Sequence, residues 1–161
     1  LPFEPVATGA RRFVELMRAL EAQNLTRGEL TVKSAARLMP ATGTPAEAVR
    51  RVLLAYNQLA TVGARDARTA AAVALAAMVR DDAAVGEAVH RLLAVHAELV
   101  QRRISSSELA LGDALECMAC AGTPAEVAET VRALVHQLAA GRAPRRADTA
   151  VAVAFAKRFA Y

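Results

Sequence analysis

Apolar residues recur along this chain at three- and four-residue spacings. Phe13, Leu16, Met17 and Leu20 form one stripe, and Leu92, Val95, His96 and Leu99 form another. That is the period of a helix with one buried face. No stretch alternates apolar and polar residues as a half-buried strand would, and hairpin turn signals are missing. Two segments depart from the striped pattern. Ala70 to Met78 carries no charge on any face, and Ala150 to Ala156 is similar. A helix apolar all round is generally buried, so both are predicted as inner helices.

Capping residues set the predicted boundaries. Thr44-Pro45-Ala46-Glu47 and Thr123-Pro124-Ala125-Glu126 each place Thr at the N-cap, Pro at the first helical position and Glu where it can reach back to the N-cap amide. Gly43 and Gly122 suit the end of the preceding helix. Thr26-x-x-Glu29 and Ser105-x-x-Glu108 repeat the capping pattern one helix earlier, and Asp66, Asp81 and Asp148 are further N-terminal candidates. Eight helices follow, over residues 8–23, 27–40, 45–61, 67–80, 83–101, 106–119, 124–140 and 148–160.

The same residues reveal a repeat. Gly43-Thr44-Pro45-Ala46-Glu47 returns 79 residues later as Gly122-Thr123-Pro124-Ala125-Glu126. Leu25-Thr26 pairs with Ile104-Ser105, Glu29-Leu30 with Glu108-Leu109, Met39 with Met118, Val52 with Val131, and Gln58-Leu59-Ala60 with Gln137-Leu138-Ala139. After a one-residue slip, Thr69-Ala70 falls on Thr149-Ala150. A fainter period of about 40 residues places Leu20, Leu59, Leu99 and Leu138 at one position in four helices, and Ala35, Ala74, Ala114 and Ala154 at another. Such a period resembles that of helix-pair solenoids, although the Trp, Tyr and Pro signatures of tetratricopeptide repeats and the ankyrin hairpin motif are lacking. The expected architecture is all-α: one domain over residues 1–161, made of two duplicated four-helix halves at about 8–80 and 83–161. Its stacked αα-hairpins would form a short right-handed solenoid-like array or a closed bundle.

Composition sharpens this picture. The chain has 161 residues, 55% of them hydrophobic but only 4% aromatic, with no Trp. A core of Ala, Leu and Val fills space only if helices approach closely, which leaves no roomy cavity for a cofactor, and none is expected. Lys33 and Lys157 are the only lysines among 20 basic residues, and Arg with abundant Ala suggests a GC-rich bacterial genome. The longest uncharged helical run, Thr69 to Val79, is far short of the roughly 20 residues that span a bilayer. No signal peptide is legible, and Cys117 and Cys120 on one helix fit a reduced, cytoplasmic protein. The chain starts at Leu1 rather than Met, as an excised part of a longer protein would.

Candidate chemistry is sparse. Cys117-Met118-Ala119-Cys120 lies near a helix C-terminus, the wrong end of the dipole for lowering a thiol pKa. The first half has Leu38 and Ala41 there, so packing is the expected role. A zinc site built from Cys117, Cys120 and two of His90, His96 and His136 has no counterpart ligands in the first half. The glutamates at capping positions are occupied by backbone amides. Ser105-Ser106-Ser107 lacks the glycines of a nucleophile elbow, and no phosphate-binding glycine loop occurs. The chain is therefore read as a non-enzyme.

Charge placement is more suggestive. The formal net charge is +4, and the turns inside helix pairs carry Arg27, Arg65, Arg68, Arg102, Arg103, Arg142, Arg145 and Arg146. If the pairs turn alike, these line one edge, and mostly acidic turns line the other. The sequence reading is a non-enzymatic protein-interaction or scaffold module with a protein or peptide partner, apolar ends able to form a homo-dimer, and no membrane association. The alternative is polyanion or nucleic-acid binding along an edge formed by Arg65, Arg68, Arg102, Arg103, Arg142, Arg145 and Arg146.

Overall fold

The computed structural model describes residues 4–158. Within them the chain is all-helical, with eight helices and no strand: α1 (Glu4–Ala22), α2 (Glu29–Leu38), α3 (Pro45–Gln58), α4 (Arg65–Met78), α5 (Ala83–Gln101), α6 (Ala110–Cys117), α7 (Pro124–Ala139) and α8 (Arg146–Arg158). The expected eighth helix runs to residue 160, and its last two residues lie outside the described ones. The chain divides into two compact units, Leu1–Val89 and His90–Tyr161.

In the first unit, α1 packs on α2 and α3, and α4 packs on the same two helices. Leu16 and Leu20 of α1, Ala35 and Leu38 of α2, and Val52 and Ala55 of α3 are fully buried, as is Leu59 at the α3 C-cap. The run Ala71–Ala76 in α4 is buried on every face. Five of those six positions are Ala or Val, so α4 meets its neighbours through methyl groups. In the second unit, α8 packs on α6 and α7 around Ala114, Cys117, Ala128, Val131 and Ala152.

Both expected Thr–Glu caps form. The Glu47 and Glu126 amides donate to Thr44 and Thr123 Oγ1 at 3.2 and 3.3 Å, while the Thr amides donate to the glutamate Oε2 atoms at 2.7 Å. Those backbone hydrogen bonds hold both carboxyls below their usual range. Gly43 and Gly122 have φ of 81° and 99°, and an added Cβ would lie 2.5 and 2.9 Å from the capping carboxylates. The backbone conformation favours glycine at both, and a side chain there would also displace the capping carboxylate.

The other two expected caps do not form. α2 starts at Glu29 behind Gly28, and α6 starts at Ala110 behind Leu109, with no side-chain cap at either. Thr26 instead accepts from the buried Thr31 hydroxyl at 2.9 Å, and Ser105 donates to Asp113 Oδ2 at 2.5 Å. Burial gave these hydroxyls partners inside the core, and the helices are shorter for it. α8 is a second correction. Ala152 and Val153 are buried, but Ala150, Val151, Ala154 and Phe155 are exposed. α6 and α7 cover one side of α8 only.

One tertiary element was invisible in the sequence pattern. Arg12 of α1 donates to the carbonyls of Met39, Ala41 and Gly43 at 3.2, 2.6 and 2.8 Å. Arg91 of α5, 79 residues on, donates to Cys120 and Gly122 at 2.7 and 3.1 Å. Each clamps a turn whose carbonyls a helix end leaves unpaired. α1 and α5 also end alike. Asn24 and Arg103 adopt the left-handed conformation, and the following amides return to Leu20 and Leu99 at 3.3 and 2.9 Å.

Candidate functional site

Arg103, the left-handed residue that follows α5, lines a cleft of about 390 Å³ in the second unit. The turn before α6 and the turn before α8 form its walls. Arg102, Arg103, Arg132, Arg145 and Arg146 supply its charge, and His136 also lines it. Four of the seven arginines of the expected anion-binding edge thus share one cleft.

Most of that charge is already matched. Arg102 pairs with Glu98 and Glu129, both at 2.8 Å, and Arg132 shares Glu129 at 2.9 Å. Arg146 forms a two-pronged pair with the buried Asp113 at 2.5 and 2.8 Å. Arg142 does the same with Asp148 at 2.7 Å, and the Arg145 amide adds a third bond at 2.8 Å. Those hydrogen bonds, Arg142 first, hold the Asp148 carboxyl down to about 2. The side chains of Arg103 and Arg145 make no ion pair among the described residues. No Asp or Glu side chain is among the residues that line the cleft.

Arg65 and Arg68 lie in the first unit and are spent on turns. Arg65 donates to the Asn24 carbonyl at 2.8 Å, and Arg68 donates to Ala60 and Gly63 while its guanidinium lies 5.3 Å over the Tyr56 ring. Arg65, Arg27 and Asp66 border a shallow cleft together. The turns on the opposite side of this unit also meet: the Thr42 hydroxyl donates to the Arg80 carbonyl at 2.7 Å, and Arg50 pairs with Asp82 at 2.7 Å. Glu47, Asp81 and Asp82 there face Arg50, Arg51 and Arg80. In the cleft they line, the arginines of α3 stand among the acidic turn residues, which the sequence pattern did not indicate.

Cys117 and Cys120 are buried free thiols. Burial pushes Cys117 up to about 12 and raises Cys120 as well, so neither is a thiolate at neutral pH. Native protein at pH 8 is expected to resist iodoacetamide over a time in which urea-unfolded protein reacts at both positions. Rapid native labelling at Cys117 would contradict its burial. Among the described residues, no three His, Cys, Asp or Glu side chains converge as a metal-ligand set. No helix among them is long and apolar enough to cross a membrane.

A different surface stands out at the far side of α7 and α8. Leu134, Gln137, Leu138, Val151 and Phe155 line an apolar cleft of about 270 Å³. Leu138 is 41% exposed and Val151 52%. Counting back by the offsets of 79 and 80 gives Leu59 and Ala71, which are 0% and 2% exposed. Leu134 likewise falls on the fully buried Ala55, and Gln137 on Gln58, which faces Gly86 at the start of α5. The sequence alone aligned Leu138 with Leu59; only their burial tells the two positions apart.

No family model, curated protein or solved structure matches the chain.

Proposed function

We propose that this chain is a non-enzymatic helical-repeat module for protein interaction, its halves at about 8–80 and 83–161 copies of one four-helix repeat, and that a partner helix docks on the α7–α8 face. The single observation that carries the reading is the exposure of Leu138 and Val151 at positions whose counterparts are core. A protein seldom leaves aliphatic side chains adjoining one another in water without a use. The paired turn clamps of Arg12 and Arg91 and the paired capping boxes support the duplication. The Ala- and Arg-rich composition and the reduced thiols fit a bacterial cytoplasmic setting.

The fitting probe is a helix with the pattern of α5, because in the first unit the start of α5 brings Val85 and Val89 into burial beside the end of α3. A labelled peptide of residues 83–101, held helical by a side-chain staple, is expected to bind with a dissociation constant of about 1–100 μM. Joint L138E and V151E substitution should weaken it at least about tenfold, since burying one Leu contributes about 1.5–3 kcal/mol. Unchanged affinity in the double variant would refute the assignment of the face.

Anion binding is a second reading, favoured by the two uncommitted guanidiniums of Arg103 and Arg145 in the 390 Å³ cleft. With only two phosphates neutralised, the logarithm of affinity for duplex DNA should fall with the logarithm of salt at a slope of about −2. Fluorescence anisotropy with labelled duplex DNA and single-stranded RNA at low and physiological salt measures it. Joint R103S and R145S substitution should remove the binding; retention would show that it lies elsewhere.

A further inference from the structure

We infer that the helix received by the α7–α8 face is the start of α1 from a second copy, so that the chain associates head to tail. This rests on the reading of that face as a docking site and names its occupant. Both halves of the contact are exposed on the same chain. On α1, Val6 is 70% exposed and Ala10 is also exposed. Their counterparts 79 residues on, Val85 and Val89 at the start of α5, are 1% and 2% exposed.

Within the first unit, then, the chain carries the finished version of this arrangement. Ala55 and Leu59 at the end of α3, Ala71 in α4, and Val85 and Val89 at the start of α5 are all buried there, and a Cβ at Gly86 of α5 would lie 3.9 Å from the Gln58 side chain of α3. The Arg50–Asp82 pair and the Thr42–Arg80 hydrogen bond hold the entering segment of α5 in place. The α7–α8 face presents the first set of positions open, and α1 presents the second set open. Bringing them together between two molecules would give each exposed position the burial its counterpart already has.

Side-chain size is compatible with this. α8 exposes Ala147, Ala150 and Ala154 beside Val151, and α1 exposes Ala7 and Ala10 beside Val6, so the helices can approach closely. Charge is no obstacle on the incoming side, because residues 5–10 of α1 carry none. The contact uses different patches on the two molecules, so it does not close on itself and each copy keeps one open end. A self-complementary pairing of two α7–α8 faces would leave Val6 exposed and would not reproduce the pattern inside the first unit.

The test is light scattering or sedimentation of the whole chain from about 10 μM to about 1 mM, a range suited to a contact smaller than a standard interface. Wild type should gain mass continuously with concentration. V6E with A10E, and separately L138E with V151E, should each stay monomeric. An equimolar mixture of the two variants should reach twice the monomer mass and stop there, because each supplies the intact surface the other lacks. Circular dichroism checks that both remain helical, and V6S and L138S give a milder second pair. A wild type that stays monomeric throughout overturns the inference. So does a V6E/A10E variant that still dimerises, which would point to pairing of two α7–α8 faces. The stapled 83–101 peptide separates the two levels. If it binds while wild type stays monomeric, the second-copy occupant fails alone; if it also fails to bind, the docking face fails with it.

Discussion

Leu59→Ala is expected to cost about 2–5 kcal/mol of unfolding free energy, and Leu138→Ala less than about 1 kcal/mol. The two leucines occupy the same position of the sequence repeat, 79 residues apart, each in a Gln-Leu-Ala sequence; Leu138 lies within α7 and Leu59 caps α3, a difference worth only a few tenths of a kcal/mol in helix propensity. What differs is surroundings. Leu59 is completely buried at the α3 C-cap among the side chains of the first unit, and truncation there loses transfer energy and leaves a cavity. Leu138 already meets solvent over 41% of its surface, so the shortened side chain leaves no enclosed void. Urea denaturation followed by circular dichroism, at a concentration where wild type is monomeric, measures both. Equal costs would mean that the α7–α8 face is core, and the docking assignment would fall with it.

Arg12→Ala should be the most damaging surface substitution, at about 2–4 kcal/mol. One guanidinium serves three carbonyls at the end of α2 and in the turn beyond it. Hydrogen bonds from charged donors contribute about 1.5–3 kcal/mol each, and partial solvent access around Gly43 reduces the total. The positive charge also lies at the negative end of the α2 dipole. Arg91→Ala, which removes two such bonds, should cost less. Lysine at position 12 should recover only a minor part, because an ammonium lacks the planar fork that reaches three acceptors. Denaturant midpoints in the order wild type, R91A, R12K, R12A would match the geometry. An R12A midpoint equal to that of wild type would show that water serves those carbonyls as well as the arginine does.

What the sequence made legible was local. The Thr44–Glu47 and Thr123–Glu126 boxes form as expected because cap, proline and glutamate lie within four residues and need no other part of the chain. The count of helices and the burial of α4 follow for the same reason: periodicity and the absence of charge are properties of short windows. Thr26 and Ser105 carry the same capping signature, yet both turned inward to Thr31 and Asp113, and only the fold could place those partners. The Arg12 and Arg91 clamps recur at the repeat offset, but the carbonyls they reach are about 30 residues away. The partners of the arginines were hidden in a related way. Composition counts guanidiniums, while the fold commits Arg65 and Arg68 to turn carbonyls and Arg102, Arg142 and Arg146 to carboxylates. Among the described residues, Arg103 and Arg145 of the seven have side chains in neither an ion pair nor a turn hydrogen bond. For α8, an apolar sequence signalled burial correctly on one side; the other side depends on what lies next to it, which helical spacing does not encode.

The methyl-lined packing of α4 also bears on how this sequence can change over time. At Ala72, Ala74 and Ala76, which are at most 3% exposed, a larger side chain would force the neighbouring helices apart at about 1–3 kcal/mol. Glycine would cost about 1 kcal/mol in helix propensity. Substitution is penalised in both directions, so these sites have close to one acceptable residue. A lineage whose base composition drifted away from alanine codons would exchange alanine freely at exposed positions such as 22 and 36. Alanines 72, 74 and 76 would stay fixed, a frozen segment in a chain otherwise free to shift its composition.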